Sequence, residues 1–322
     1  MLYKNCERCG IEVSALGAGT WSMGGTNAYG RSYGEVEDAT SIKALHALID
    51  GGVNLIDTAP VYGDGGSENV VGAALAQDGY RDRVFLVTKF GNSQDPKTGE
   101  RIIDNSRERI MSEIDESLKR LRTDRIDLYI MHYPDGGTPI QETMEALGDL
   151  KRQGKIRYVG VSNVDRDQIE DAARFGRVDA VQLPYAMVNR QQEDLFKWCH
   201  EQGYLTMAYG SLGAGILSGA FRELPHFDEK DIRNTFYPYF KEPMFSKIQG
   251  LLSDMDVLAE RYGRPLAHIA LSWAAHKEYV DTSLVGVANV DQARENCEAF
   301  SLSLSDDEMA FLDDSIARHL DA

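Results

Sequence analysis

Eight short runs rich in β-branched and apolar residues, separated by segments of helical periodicity, leave this chain little choice of fold. They lie at 15–20, 54–58, 84–89, 127–132, 158–163, 180–184, 204–209 and 282–286. Between them, apolar residues recur three and four apart, as at Ile110, Ile114, Leu118 and Leu121, or at Ile140, Met144, Leu147 and Leu150, which is the stripe of one helix face. Glycines at 51–52, 79, 154, 176 and 203 stand where a helix ends shortly before the next strand. Strand, helix and strand in steady alternation predict parallel strands, and strands apolar nearly throughout predict burial on both faces. The expectation is an α/β fold: a single (β/α)8 TIM barrel over residues 1–322, opened by an N-terminal β-hairpin.

About seventy residues separate the seventh run from the eighth. The aromatic segment 221–245 is predicted as a long ordered loop, followed by helices near 246–262 and 265–277. This is a loop and helix insertion before the eighth strand, and 306–320 reads as an extra C-terminal helix. A doubly wound sheet is the rival architecture, but its strict Gly-x-Gly-x-x-Gly is absent. Gly213-x-Gly215-x-x-x-Gly219 is only a loose cousin that suits a phosphate-facing loop of a barrel.

Composition narrows the partners. Fifty-one acidic residues against 34 basic ones give a formal net charge of −17, which argues against nucleic acid and anionic membranes. No apolar stretch approaches the ~18 residues of a membrane span. The opening residues lack the apolar core of a secretory signal, so a cytoplasmic location is expected. Four cysteines are too few to staple a chain of 322 residues, and Cys6-x-x-Cys9 reads as part of a hairpin rather than a metal or redox pair. No metal is expected.

In such a barrel, functional side chains project from the C-terminal ends of the strands. Three successive runs end in a titratable residue: Asp57, Lys89 and His132, with Tyr62 five residues beyond Asp57. A tyrosine that exchanges a proton near neutrality needs help, because its ordinary pKa is about 10. A neighbouring Lys⁺ is expected to stabilise the phenolate, an aspartate to hold the lysine, and an imidazole to hydrogen-bond a substrate oxygen. The set suits protonation of a carbonyl oxygen. It contains no nucleophile–base pair, so the harder chemistry falls to a cofactor.

With these residues, the chain resembles the aldo-keto reductase superfamily over essentially its whole length. The matches are Asn54-Leu-Ile-Asp57-Thr-Ala-Pro-Val-Tyr62-Gly63 with Ser67-Glu68, Val87-Thr-Lys89-Phe, Met131-His132-Tyr-Pro-Asp135, Gly160-Val-Ser162-Asn163, Val181-Gln182-Leu-Pro-Tyr185, Tyr209-Gly-Ser-Leu212 and the stretch from Gly286 to Asn296. The resemblance implies NAD(P)H-dependent reduction of an aldehyde or ketone by hydride transfer, with Tyr62 as acid, Lys89 and Asp57 tuning it, and His132 orienting the carbonyl. It implies that Ser162, Asn163 and Gln182 hold the nicotinamide carboxamide and that Tyr209 stacks on the ring. Ser211, Leu212 and Gly215 would line the pyrophosphate. Gly19, Thr20 and Trp21 would line the cofactor and pocket floor, with Gly286, Gln292, Glu295 and Asn296 toward the adenine end.

Many relatives carry a cation where Ala220 stands and another near Val287-Ala288-Asn289. The expected NADPH would therefore rely on Arg222, Arg233 or Arg294, with NAD as the alternative. The substrate is expected to be a small carbonyl compound or sugar. Trp21, Tyr29, Tyr133 and the 221–245 segment would give its pocket aromatic walls. The same four residues permit oxidation of a sugar or alcohol. A slow, cofactor-bound regulatory module is a third reading, since potassium-channel β subunits resemble this family, but there the equivalent of His132 is replaced.

Overall fold

The computed structural model describes residues 1–25, 36–95 and 97–321; Tyr29 lies outside them. Twelve strands are found among the described residues: β1 (Tyr3–Cys6), β2 (Ile11–Ser14), β3 (Leu16–Gly19), β4 (Leu55–Asp57), β5 (Phe85–Phe90), β6 (Asn92–Gln94), β7 (Arg101–Ile103), β8 (Ile126–Met131), β9 (Ile156–Ser162), β10 (Ala180–Pro184), β11 (Leu205–Tyr209) and β12 (Thr282–Val285). Eight of them close into a parallel barrel in the order β10-β11-β12-β3-β4-β5-β8-β9. All eight runs read from the sequence become these staves, with ends that differ by at most two residues.

Helices cover the outside: α1 (Asp38–Asp50), α2 (Gly66–Leu75), α3 (Arg107–Leu121), α4 (Ile140–Arg152), α5 (Arg166–Phe175), α6 (Glu193–Glu201), α7 (Arg233–Phe236), α8 (Met244–Tyr262), α9 (Leu266–His276), α10 (Val290–Glu298) and α11 (Asp306–Leu320). Their starts follow local capping chemistry. Ser106 Oγ accepts from the Arg109 amide, and reciprocal capping boxes open α5 at Asp165 and α11 at Ser305. Gly52, Gly154 and Gly203 take positive φ as expected, but Gly176 is extended, so α5 ends without a left-handed cap.

Two apolar clusters result from the strand period of two. One set of side chains points out, packing Leu16, Ile56, Leu86, Tyr129 and Val181 under the helices. The other points in, where Leu55, Val87, Leu128, Ile130, Ala180, Met207 and Leu284 fill the barrel. Gly17 belongs to the inward set because there is no room for more: an added Cβ would lie 2.6 Å from Leu284 Cδ2. The β1–β2 hairpin closes the N-terminal end, with Cys6, Cys9 and Val13 buried in the inner cluster. Both thiols are free, and the described residues hold no group of three potential metal ligands among His, Cys, Asp and Glu. No described helix is long and apolar enough to cross a membrane.

The insertion before β12 is more structured than a loop. A 3-10 turn at Gly213–Ser218, α7 and a second 3-10 turn at Pro238–Phe240 are tied by a cluster of Phe221, Phe227 and Phe240 with edge-to-face rings. The β6–β7 hairpin, between β5 and α3, was not anticipated. Its signal was present in the Asp95-Pro-Lys-Thr-Gly99 turn flanked by two short runs.

Candidate active site

The inward series of each strand continues, beyond its last apolar residue, into a polar one. Leu55 leads to Asp57, Val87 to Lys89, Ile130 to His132, Gly160 to Ser162, Ala180 to Gln182 and Met207 to Tyr209. At the C-terminal mouth, these side chains surround a cavity of about 660 Å³. Apart from the three arginines considered for a nucleotide phosphate, every residue named from the sequence for catalysis or cofactor binding lines this cavity except Lys89, which lies beneath it and is 1% exposed. A surface role for Lys89 is thereby excluded.

Lys89 Nζ has three donors and three acceptors: Asp57 Oδ1 at 2.6 Å, the Thr58 carbonyl at 3.0 Å and the Tyr62 hydroxyl at 3.3 Å. Because the phenol oxygen accepts from the lysine, its own proton is free to point elsewhere. Asp57 is held on its other oxygen by Gln182 Nε2, at 2.8 Å. The Tyr62 loop is anchored from below. Ser67 Oγ bonds Thr20 Oγ1 and its carbonyl, while Glu68 accepts from Thr88 Oγ1 and Arg120 Nε. The Ser67-Glu68 part of the sequence signature thus braces the site and does not line the cavity. After Tyr62 the chain turns through three left-handed residues, Gly63, Asp64 and Gly65, and two of the three are glycine for that reason.

The electrostatics differ from the expectation in one respect. Burial, reinforced by the charge of Asp57, pushes the Tyr62 phenol well above its usual range, so the hydroxyl stays protonated instead of being drawn down by the lysine. Burial also lowers Lys89, while Asp57 acts in the opposite direction. His132 is pushed well below its ordinary value by burial and by the charges of Lys89 and Arg101, so the imidazole is neutral.

The tautomer of His132 follows from two residues that sequence reasoning missed. Arg101 Nε donates to Asn92 Oδ1 at 3.1 Å, which turns the Asn92 NH2 toward His132 Nδ1, at 3.5 Å the outer limit of a hydrogen bond. Nδ1 is then the acceptor, and the ring proton sits on Nε2. Both residues lie on the unanticipated hairpin and line the cavity.

Around this centre, Asn163 takes positive φ, donates to the His132 carbonyl and to Ser162 Oγ, and accepts from the Tyr209 hydroxyl at 2.8 Å. The tyrosine ring is held from its far end. Ser211, Leu212 and Gly215 lie on a tight turn in which Gly213, Ala214 and Gly215 all have positive φ. At the far end of the cavity are Gly286, Val287, Ala288, Gln292, Glu295 and Asn296. Of the expected aromatic walls, Trp21, Tyr133, Phe236 and Tyr237 line the cavity, whereas Phe221, Phe227 and Phe240 pack on one another.

The arginines expected to meet a nucleotide phosphate are otherwise engaged. Arg222 pairs with Asp256 at 2.6 Å, and Arg233 forms a two-pronged pair with Asp231 over the Phe227 ring. Neither lines the cavity. Arg294 lines an adjoining depression with Arg264, His268, Asp291 and Glu298, and Glu295 is common to both spaces.

Comparison with known proteins bears on this arrangement. The profile of the Aldo/keto reductase family matches residues 15–317. The chain is 38% identical over 294 residues to the aldo-keto reductase YhdN of Bacillus subtilis, covering 91% of this chain and 86% of that one. It is 33% identical over 316 residues to the NADH-specific methylglyoxal reductase of Escherichia coli, covering 92% of each. Among solved structures, the glycerol dehydrogenase AKR11B4 from Gluconobacter oxydans superposes with a TM-score of 0.89 at 32% identity, covering 99% of this chain and 96% of that one.

Proposed function

The chain belongs to the aldo/keto reductase family and is an oxidoreductase that uses a nicotinamide cofactor, and from that premise we propose that it reduces a small aldehyde or ketone with Tyr62 as the proton donor. The observation that carries this reading is the Asp57–Lys89–Tyr62 chain of hydrogen bonds directly beneath a cavity that His132 also lines. The cavity suits the cofactor on its own chemistry. Ser22 Oγ, on its wall, is shut off from solvent without a hydrogen-bond partner among the described residues, and Gln182 Oε1 and the Ser162 hydroxyl proton are left for a ligand amide. A bound reduced nicotinamide supplies the hydride.

This chain's residues supply the proton and the electrostatics. A carbonyl oxygen between the Tyr62 hydroxyl and His132 Nε2–H receives two neutral donors. Charge developing on it draws the phenol proton, and the Lys89 ammonium, donating to the same phenol oxygen, stabilises the charge left behind. Asp57, clamped by Gln182, keeps that ammonium in place. The raised phenol is the protonated form that an acid requires, and the neutral imidazole does not compete to deliver the proton.

The reduced cofactor we propose is NADPH, with its 2′-phosphate toward Arg294, since Arg222, Arg233 and Arg264 are paired with Asp256, Asp231 and Glu298. The name of the Escherichia coli relative makes NADH the alternative. The glycerol dehydrogenase among the structural neighbours favours a second reading, in which the same residues run in reverse on a small polyol, Tyr62 taking the proton back. Tyr62→Phe tests the assignment: it removes one oxygen and leaves the ring. Turnover should fall about 10²–10⁴-fold with cofactor affinity retained, and near-normal turnover would reject Tyr62 as the acid.

A further inference from the structure

Arg101 is the one lysine or arginine among the described residues that lines the catalytic cavity, and it stands on a chain of net charge −17. Most arginines of this chain pair with carboxylates, as Arg120 does with Glu68 and Arg81 with Asp127. Arg101 is different. Its guanidinium carbon lies over the Tyr133 ring, 3.7 Å from the centroid, and its Nε bonds Asn92, but among the described residues no carboxylate pairs with it. It is exposed at the mouth, one hydrogen-bonded residue away from His132.

A cation fixed by an aromatic face and an amide, with its two terminal NH2 groups left over, has the geometry that recognises a planar or tetrahedral oxyanion through paired hydrogen bonds. The surrounding negative field would repel an anionic substrate from a cavity without such a group. From this we propose that Arg101 is a specificity residue, and that the preferred substrate of the reaction above is a carbonyl compound carrying a carboxylate or phosphate. The anion sits on Arg101 while the carbonyl reaches Tyr62 and His132. Asn92 and Tyr133 hold the guanidinium for it, so binding does not have to order a free side chain.

This rests on the proposed carbonyl reduction, and the test separates the two. Steady-state kinetics compare matched pairs: butanal with 4-oxobutanoate for the carboxylate, and glyceraldehyde with glyceraldehyde 3-phosphate for the phosphate. The unmodified protein should show kcat/KM at least about tenfold higher for the charged member of one or both pairs, chiefly through KM. Arg101→Ala should reduce that preference to near unity, and Arg101→Lys should keep part of it because the charge remains. A preference in only the first pair assigns a carboxylate, and in only the second a phosphate. No preference in either pair overturns the inference. So does an Arg101→Ala variant that loses charged and neutral substrates in equal proportion, since Arg101 would then act only through Asn92 on His132. Absence of turnover with all four compounds and both cofactors would instead count against the carbonyl reduction itself.

Discussion

Gln182 Nε2 donates to Asp57 Oδ2 at 2.8 Å, joining β10 to β4 across the full width of the barrel. The partner of Lys89 is thus held from the opposite wall, by a residue for which the family resemblance implied only a contact with cofactor. Gln182→Leu keeps the bulk and removes the donor. Losing a hydrogen bond to a charged group costs about 1.5–3 kcal/mol, so kcat at saturating cofactor should drop at least about tenfold. A variant altered only in cofactor Kd would show that the contact has no part in catalysis.

Removing Lys89 leaves the Asp57 charge alone beneath a phenol that is already raised. Lys89→Met should therefore depress reduction at every pH. In the direction of alcohol oxidation, where Tyr62 must accept the proton, the residual activity should rise only at higher pH than in the unmodified protein. The two pH–rate profiles measure this directly, and superimposable profiles would detach Lys89 from the tyrosine.

His132 also carries a stability signature. Its folded pKa lies well below the ordinary value of 6.5, so between those two pH values the unfolded chain binds a proton that the folded one does not. Stability contributed by this group is therefore complete above about pH 6.5 and declines as the pH falls below it, by up to about 1.4 kcal/mol per pH unit. His132→Gln, which cannot titrate, should flatten the fall in Tm between pH 6.5 and 5 by roughly one proton's share. An unchanged slope would mean that the imidazole is reached by water and protonates normally in the fold.

For the nucleotide, fluorescence titration with NADPH and NADH gives the preference directly. Arg294→Ala should weaken NADPH by about tenfold more than NADH, whereas Arg233→Ala and Arg222→Ala should leave the ratio alone, because Asp231 and Asp256 already hold those side chains. Tighter NADH binding by the unmodified protein would make the neutral Val287-Ala288 stretch, which lines the cavity, the residues that set the preference.

Gly72 offers a check on the packing that supports the Tyr62 loop. Alanine is ordinarily worth about 1 kcal/mol over glycine inside a helix. Here its Cβ would fall 2.3 Å from the Arg120 carbonyl and 2.8 Å from the Leu121 backbone, where α2 crosses the end of α3. Overpacking costs about 1–3 kcal/mol, and backbone atoms cannot rotate away, so Gly72→Ala should lower Tm. An increase would show that the two helices separate easily.

Hydrophobic periodicity is a local property, and what it determines was legible in the amino-acid order. Strand ends put Asp57, Lys89 and His132 at the barrel mouth, the family resemblance added Ser162, Gln182 and Tyr209, and helical spacing between the strands required parallel staves. The 306–320 tail was equally legible as a helix, which a capping box of Ser305 and Glu308 opens in the structure. Contacts made by closure were not legible, because barrel strands adjacent or opposite in space are remote in sequence. Only the folded chain sets Gln182 against Asp57, gives Arg222 to Asp256, and lays Arg101 on Tyr133 where its amide contact fixes the proton of His132. The protonation of Tyr62 belongs to the same class. Residue type suggested a phenol drawn down by a lysine, but desolvation is a sum over every neighbour that excludes water, and that sum exists only once the barrel mouth is assembled.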